Sequence, residues 1–217
     1  MPERQKTGSA VNDSQTPACD DRELVRRVQS GQTQAYGELV RRYQDRVFNT
    51  CWRICGHLED ARDLTQDAFL KAFENLDAFR QESGFYTWVF RVAVNLSLSQ
   101  RRSASRRRMA SLESGAATGG TQAEDLARRV RRSENDDPAQ AASDADLQGR
   151  VAHALQILDD DHRAVVVLRD MEGLDYLQIG TILDIPPGTV KSRLHRARMA
   201  LRAALSPARG GLSEPGA

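Results

Sequence analysis

The chain has 217 residues, of which 40% are hydrophobic and 28% charged, and its 31 basic side chains nearly balance its 30 acidic ones. A net charge of +1 excludes a globally basic field, so binding to nucleic acid would have to come from local clusters of Lys and Arg. No apolar run reaches the roughly 20 residues that a membrane helix needs, and the polar N-terminus does not resemble a signal peptide, which predicts a cytoplasmic protein without membrane insertion.

The first half of the chain predicts four helices within a domain that covers residues 20–104. Residues 1–19 are polar without periodicity and are expected to be a disordered tail. The first helix should begin at Asp20, and a longer one should open at Thr33 and stop at Gly56. A third helix is predicted over 59–76 with acids in its first turns, where they suit the helix dipole. The fourth should run from Phe85 towards Arg102.

Three cysteines, Cys19, Cys51 and Cys55, are too few and too scattered to indicate a disulfide framework. Cys51 and Cys55 lie one helical turn apart with His57 nearby, so a metal or redox site is conceivable. Buried core thiols are the favoured interpretation, and we assign no metal and no cofactor.

The fourth helix places aromatic residues beside a basic stretch. Phe85, Tyr86 and Trp88 open it, and no acid occurs between Ser83 and Leu112 while six arginines do. Rings that stack on bases beside arginines that neutralise phosphate are how proteins hold single strands, so single-stranded DNA is a candidate ligand. The alternative is that these rings are core residues. We expect Phe90 inside and leave Trp88 open.

Residues 105–145 are rich in Ser, Ala, Gly and mixed charge and predict a flexible linker. A second helical bundle is predicted over 146–206, followed by a C-terminal tail over 207–217. No strand-like alternation is present. The sequence therefore predicts an all-α fold of two small helical bundles joined by a flexible linker.

The second bundle ends in a pattern typical of a helix-turn-helix. Asp175–Leu183 forms a short apolar helix, in which Gly180 would permit a close approach. Pro186 and Pro187 should end it, Gly188 should allow a left-handed turn, and Thr189 should cap the next helix. That helix carries five Lys or Arg and no acid from Lys191 to Arg202. Duplex DNA is the indicated ligand. A basic amphipathic helix pair with solvated charges is the alternative.

Two motif blocks, Asp60–Phe73 and Phe85–Asn95, precede the Gly188–Arg193 segment in the same order as in a known family. Together they resemble bacterial RNA polymerase sigma factors of the extracytoplasmic-function class (sigma-70 group 4), over about residues 21–108 and 146–205. The resemblance implies that the first domain is region 2, which binds the β′ clamp helices of core RNA polymerase and opens the minus-ten element. The second would be region 4, which binds the minus-thirty-five element as duplex and contacts the β flap.

The resemblance also implies roles for individual residues. The polymerase-binding helix would carry Asp63, Gln66, Asp67, Phe69 and Lys71. The minus-ten element would be held by Phe79, Arg80, Gln81, Glu82, Ser83, Trp88, Arg91 and Asn95. The minus-thirty-five element would be read or held through Arg169, Tyr176, Thr189, Lys191, Ser192, His195, Arg196 and Arg198. Leu177, Gln178 and Gly180 depart from the family's usual residues, and the linker is long for this class.

These implications predict a promoter-specificity subunit for a stress or envelope regulon, held inactive by an anti-sigma factor and without catalysis of its own. The main alternative is a stand-alone helix-turn-helix transcriptional regulator, whose first domain senses a ligand or dimerises. An enzyme acting on nucleic acid would need a carboxylate or metal constellation directed at a phosphate or base, and we find none in the sequence.

Overall fold

A computed structural model describes residues 20–80, 83–113 and 149–205, and every regular element in these ranges is helical. The predicted all-α class is confirmed. The first bundle contains α1 (Asp21–Gln29), α2 (Gln34–Cys55), α3 (Leu58–Glu74) and α4 (Phe85–Glu113), with a 3₁₀ turn at Leu76–Ala78. The second contains α5 (149–157), α6 (Asp160–Val166), a π-helical turn (Val167–Met171), α7 (Tyr176–Leu183) and α8 (Pro187–Leu205). Both predicted tails and residues 114–145 of the predicted linker lie outside the described residues.

The first bundle forms because α2, α3 and α4 each bury one apolar face against the other two. Leu39 and Ile54 of α2, Leu64 of α3 and Phe90 of α4 are almost completely buried. Gly56 has a φ of 83° and its N–H caps the carbonyl of Trp52, so α2 stops at the residue that the sequence predicted.

Helix α4 continues to Glu113, whereas the sequence predicted a linker from residue 105. Between Arg101 and Glu113 the chain contains neither Gly nor Pro, and Ala, Arg, Met and Leu have high helix propensity. A low content of large apolar residues ends the packing of α4 but does not end the helix itself.

Specific caps set the boundaries of the second bundle. The carboxylate of Asp159 accepts from the N–H of His162 at 2.8 Å and opens α6. Asp175 accepts from the N–H of Gln178 at 2.8 Å, while the Gln178 side chain accepts from the N–H of Asp175 at 2.9 Å. This capping box satisfies two donors at the start of α7.

The turn between α7 and α8 differs from the predicted one in two positions. Asp184, not Gly188, has the left-handed conformation, with a φ of 54°. Helix α8 begins at Pro187, so Gly188 and Thr189 lie inside its first turn. Pro is well suited to the first helical position because the N–H that it lacks would have no partner there. Gly180 does allow a close approach: a Cβ at this position would lie 2.8 Å from the Ile185 carbonyl oxygen.

Replacing Asp184 by Gly should stabilise the chain by about 0.5–1 kcal/mol, because Gly adopts positive φ without the steric penalty of a side chain. Urea unfolding of the full chain measures the change. Asp175→Ala removes the same charge but breaks the capping box, and it should destabilise by about 1 kcal/mol. A loss of stability in Asp184→Gly would show that the Asp184 side chain makes a stabilising contact.

Candidate DNA and polymerase interfaces

Helix α8 separates an inward apolar face from an outward polar one. Val190, Leu194 and Ala197 are buried at helical spacing and anchor the helix on α6 and α7. The side chains predicted to read bases all lie on the opposite, exposed face: Lys191, Ser192, His195 and Arg196. Shape and exposure therefore match a recognition helix presented to a major groove.

The cations of α8 are not equivalent. Within the described part of the chain, no carboxylate pairs with Lys191 or Arg196. Arg193 faces the protein and pairs with Asp161 at 2.9 Å, and Arg198 pairs with Asp170, with Nε to Oδ2 at 3.0 Å. Lys191 and Arg196 are therefore the cations of α8 best placed to meet DNA, whereas a phosphate would have to displace Asp170 from Arg198.

Arg169 and Tyr176 form one unit at the start of α7. The guanidinium of Arg169 donates to the Leu174 carbonyl at 2.7 Å and lies 5.1 Å from the centroid of the Tyr176 ring. Tyr176 is 37% exposed. The cation–π contact holds the half-buried Arg169 beside the exposed Tyr176 ring, which suits their predicted position near the phosphate backbone.

On α4, the residues predicted to hold the minus-ten element form a stripe along one side of the helix. The stripe begins at a pair of stacked aromatic rings. Trp88 is half-buried and stacks on Phe79, with ring centroids 4.6 Å apart. Arg91 and Asn95 follow Trp88 on the same face of the helix, and both are exposed. An indole with a supported face and a cation one turn away can stack on a base and hold its phosphate.

The other residues predicted for this element fall in different environments. Phe79 is only 9% exposed, and its place is behind Trp88 as support. Arg80 is exposed and Ser83 is half-buried. Gln81 and Glu82 lie outside the described residues. Phe90 is fully buried, as expected, and so belongs to the core.

On α3, the predicted polymerase-binding set separates into exposed and buried members. Asp63, Gln66, Asp67 and Lys71 are exposed. Phe69 is only 7% exposed because it packs in the core beside Ala68, and its carbonyl accepts a hydrogen bond from the hydroxyl of Tyr36. The Phe69 side chain therefore does not belong to the exposed face.

Two apolar side chains that the sequence analysis did not assign are exposed on α3. Leu70 is 52% exposed and lies one turn beyond Gln66 and Asp67, and Phe73 is 39% exposed and lies one turn beyond Leu70. The sequence signal that could have identified them is the helical periodicity of α3. Ala68 and Ala72 mark the buried face, and Leu70 and Phe73 fall outside it. Together with the acids they form a mixed acidic and apolar face, suited to a basic partner with an apolar centre.

Cys51 and Cys55 are buried in the first bundle, as core thiols. Burial raises the pKa of both thiols, that of Cys55 to about 11. Within the described residues, His, Cys, Asp and Glu side chains form no cluster that could hold a metal ion. None of the described helices is both long and apolar enough to cross a membrane.

Thiol reactivity checks this environment. In a Cys19→Ser chain at pH 8, Cys51 and Cys55 should react with an aromatic disulfide reagent only slowly, because a raised pKa leaves little thiolate and burial blocks access. Both should react at once in denaturant. Rapid reaction of the folded chain would show that this part of the bundle opens easily.

Comparison with known proteins agrees with this geometry. Residues 39–107 match the family described as Sigma-70 region 2, and residues 148–201 match the family described as Sigma-70, region 4. The chain is similar to the ECF RNA polymerase sigma factor SigW of Bacillus subtilis, with 32% identity over 82% of this chain and 92% of the relative. It is 35% identical to the ECF RNA polymerase sigma-E factor of Escherichia coli, over 86% and 95%.

Two solved structures share the fold. CnrH in complex with the cytosolic domain of CnrY gives a TM-score of 0.60 at 28% identity, and covers 85% of this chain and 96% of CnrH. The sigma factor RpoE in complex with the anti-sigma factor NepR from Bartonella quintana gives 0.62 at 24% identity, over 80% and 98%. From its two region matches and its near full-length relatives, this chain belongs to the ECF family of RNA polymerase sigma factors.

Proposed function

We propose that this chain binds core RNA polymerase and directs promoter recognition, promoter melting and transcription initiation. The observation that supports the proposal is a pair of different exposed surfaces on the two bundles, each suited to a different form of DNA. The face of Lys191 and Arg196 suits duplex DNA, whereas the stripe of Trp88, Arg91 and Asn95 suits unstacked bases. A stand-alone duplex-binding regulator would not need the second surface.

The exposed face of α3 is the proposed contact with polymerase. Asp63 and Asp67 provide negative charge, and Leu70 and Phe73 provide apolar surface to bury. The β′ clamp helices are the proposed site on polymerase for this face, and the β flap for the second bundle. An anti-sigma factor is a further proposed partner, because the two similar solved structures are complexes with CnrY and with the anti-sigma factor NepR.

Reconstitution tests the function directly. The purified chain, mixed with core RNA polymerase, should form a stable complex and initiate specific transcripts from promoters that it selects from a genomic library. The double variant Leu70→Ala with Phe73→Ala should weaken complex formation, while Met109→Ala, which removes an exposed apolar side chain from the last turns of α4, should not. DNA binding without any polymerase complex would instead support the stand-alone regulator.

Arg196→Ala should cost about 1–3 kcal/mol in binding to the selected upstream duplex, if the guanidinium contacts a base edge in bidentate form. The variant should then lose its preference for a particular base at one base pair only. Binding to a set of duplexes with single base-pair substitutions measures this. Arg150→Ala, which removes an exposed cation from α5, is the matched control. An equal loss on every sequence would assign Arg196 to a phosphate instead.

A further inference from the structure

The last residue of α1 holds the turn that leads to Phe79. The side-chain amide nitrogen of Gln29 donates to the Leu76 carbonyl at 2.8 Å and to the Phe79 carbonyl at 3.2 Å. These carbonyls belong to the first residue of the 3₁₀ turn and to the residue that follows the turn. A side-chain amide nitrogen carries two N–H groups, so one glutamine can satisfy both carbonyls. The amide thereby connects α1 to a turn 50 positions away in the chain.

Both ends of this connection are fixed by the core of the first bundle. Leu24 and Val25 of α1 are completely buried, and Leu76 in the turn is 1% exposed. Gln29 itself is exposed, so its side chain contributes little to the apolar core. Because the backbone on each side is anchored, the two hydrogen bonds of Gln29 define a distance between α1 and the turn.

The turn has few hydrogen bonds of its own to define its position. The N–H of Ala78 donates to the Asn75 carbonyl at 3.2 Å, and the N–H of Phe79 donates to the Leu76 carbonyl at 3.1 Å. Hydrogen bonds in a 3₁₀ turn have poorer geometry than those of an α-helix. Phe79 then continues in extended backbone, with φ of −74° and ψ of 106°. The donors of Gln29 therefore contribute a large share of what fixes the backbone of Phe79.

The position of Phe79 matters because its ring supports Trp88. The two rings are stacked, with centroids 4.6 Å apart and an angle of 23° between their planes. The ring of Phe85 meets Phe79 edge to face at 6.4 Å. Phe79 is only 9% exposed, whereas Trp88 is half-buried and heads the stripe that continues through Arg91 and Asn95. A displaced Phe79 would leave one face of the indole without support.

We propose that Gln29 is a positioning residue for Trp88. By holding the carbonyls of Leu76 and Phe79, it fixes the Phe79 ring and, through that ring, the orientation in which the Trp88 indole meets an unstacked base. A ring that is already oriented loses less conformational entropy when a base stacks on it. The consequence for base capture rests on the proposed function, whereas the contact between Gln29 and the turn does not.

Fluorescence of Trp88 tests the positioning without polymerase or DNA. The chain contains two tryptophans, and Trp52→Phe leaves Trp88 as the only one. The indole N–H of Trp52 has no hydrogen-bond partner among the described residues, so this change leaves no acceptor unpaired. In that background Gln29→Glu should raise acrylamide quenching of Trp88 about two-fold, because an ionised carboxylate donates nothing and repels both carbonyls.

Two further variants separate the contact from charge and from folding. Gln32→Glu makes the same change three residues later, where the side chain accepts from Arg27 Nε at 3.0 Å, and should leave quenching unchanged. Gln29→Leu removes both donors without adding charge, and it should also raise quenching. Because Gln29 is exposed, both of its variants should keep the wild-type helical circular dichroism signal. Wild-type quenching in both Gln29 variants would overturn the proposal.

Initiation assays test the consequence for melting. With core polymerase, Gln29→Leu should reduce open-complex formation at a double-stranded promoter about 3- to 10-fold, the size expected from one or two net hydrogen bonds. Added to Trp88→Ala, it should cause no further loss, because it acts through that ring. A full additional loss in the double variant would show a general effect on the first bundle and overturn the positioning role. If neither wild type nor variants bind core polymerase, the proposed function fails, and the quenching result alone decides whether Gln29 positions Trp88.

Discussion

Replacing Arg163 by Met should lower the melting temperature of the second bundle by about 10–20 °C, the largest stability effect expected for a single substitution in this chain. Arg163 is fully buried, and its guanidinium donates to four backbone carbonyls: those of Ile54, Leu155, Gln156 and Leu158. Burial lowers the pKa of Arg163 to about 10, so the group remains charged at neutral pH.

Met fills a similar volume but donates nothing, and a buried carbonyl without a partner costs about 1–3 kcal/mol. Because the losses of neighbouring hydrogen bonds are not additive, we expect the free energy of unfolding to fall by about 3–5 kcal/mol in total. Differential scanning calorimetry and hydrogen exchange in peptides of α5 to α8 measure the loss. Arg163→Lys should recover little of the lost stability. A single ammonium group cannot reach all four carbonyls to which the planar, forked guanidinium donates.

Arg150→Met is the matched control for this substitution. Arg150 is an exposed residue of the neighbouring helix α5, and its replacement should change stability by no more than about 0.5 kcal/mol. Comparable melting of the Arg163 and Arg150 variants would mean that water reaches the four carbonyls and that the buried guanidinium contributes little.

Trp88→Ala should reduce open-complex formation at a double-stranded promoter by about 10- to 100-fold. The indole is the half-buried ring at the head of the α4 stripe, supported by Phe79 and, at 5.9 Å, by Phe85. Stacking of a base on an aromatic ring is worth about 1–3 kcal/mol, and an unpaired base needs that energy to stay out of the duplex. Permanganate footprinting of the melted region on the selected promoter measures the effect.

A template with a preformed bubble distinguishes melting from assembly. On that template the Trp88→Ala defect should shrink to less than about 3-fold, because the energy for unpairing is no longer required. Core polymerase binding by the variant should remain within about 2-fold of wild type, since Trp88 of α4 is not one of the exposed α3 residues proposed to bind polymerase. A defect of equal size on both templates would assign Trp88 to the stability of region 2 rather than to melting.

Most helices could be predicted from the chain because their signals are local. The pattern over Asp175–Leu183 forms α7 with its N-cap, Gly56 ends α2, and the periodic apolar residues of α8 face inward. The order of the motif blocks also indicated the family, which the comparisons confirm. The residue assignments for DNA and polymerase remain predictions, although the exposure of Lys191, Arg196 and Arg91 agrees with them.

Errors arose where the environment of a side chain depends on several elements at once. Phe69 and Phe73 are both aromatic residues of α3, but only the angle at which α3 packs on α2 and α4 places Phe69 in the core and leaves Phe73 outside. Asp184 takes the left-handed position because α8 already begins at Pro187, three residues later. Composition likewise could not show that α4 continues beyond its packed part to Glu113.

The sequence by itself determined the helices, the two bundles and the cationic recognition helix, because periodicity, caps and charge clusters act over a few residues. Only the tertiary structure decided the surroundings of Glu172 and Arg163. Each is a charged residue in a short segment and would ordinarily be read as solvent-exposed. Both are buried because their partners, Thr50 and Ile54, are more than 100 positions away in the chain. Contacts over such separations depend on how whole bundles pack, which no local pattern records.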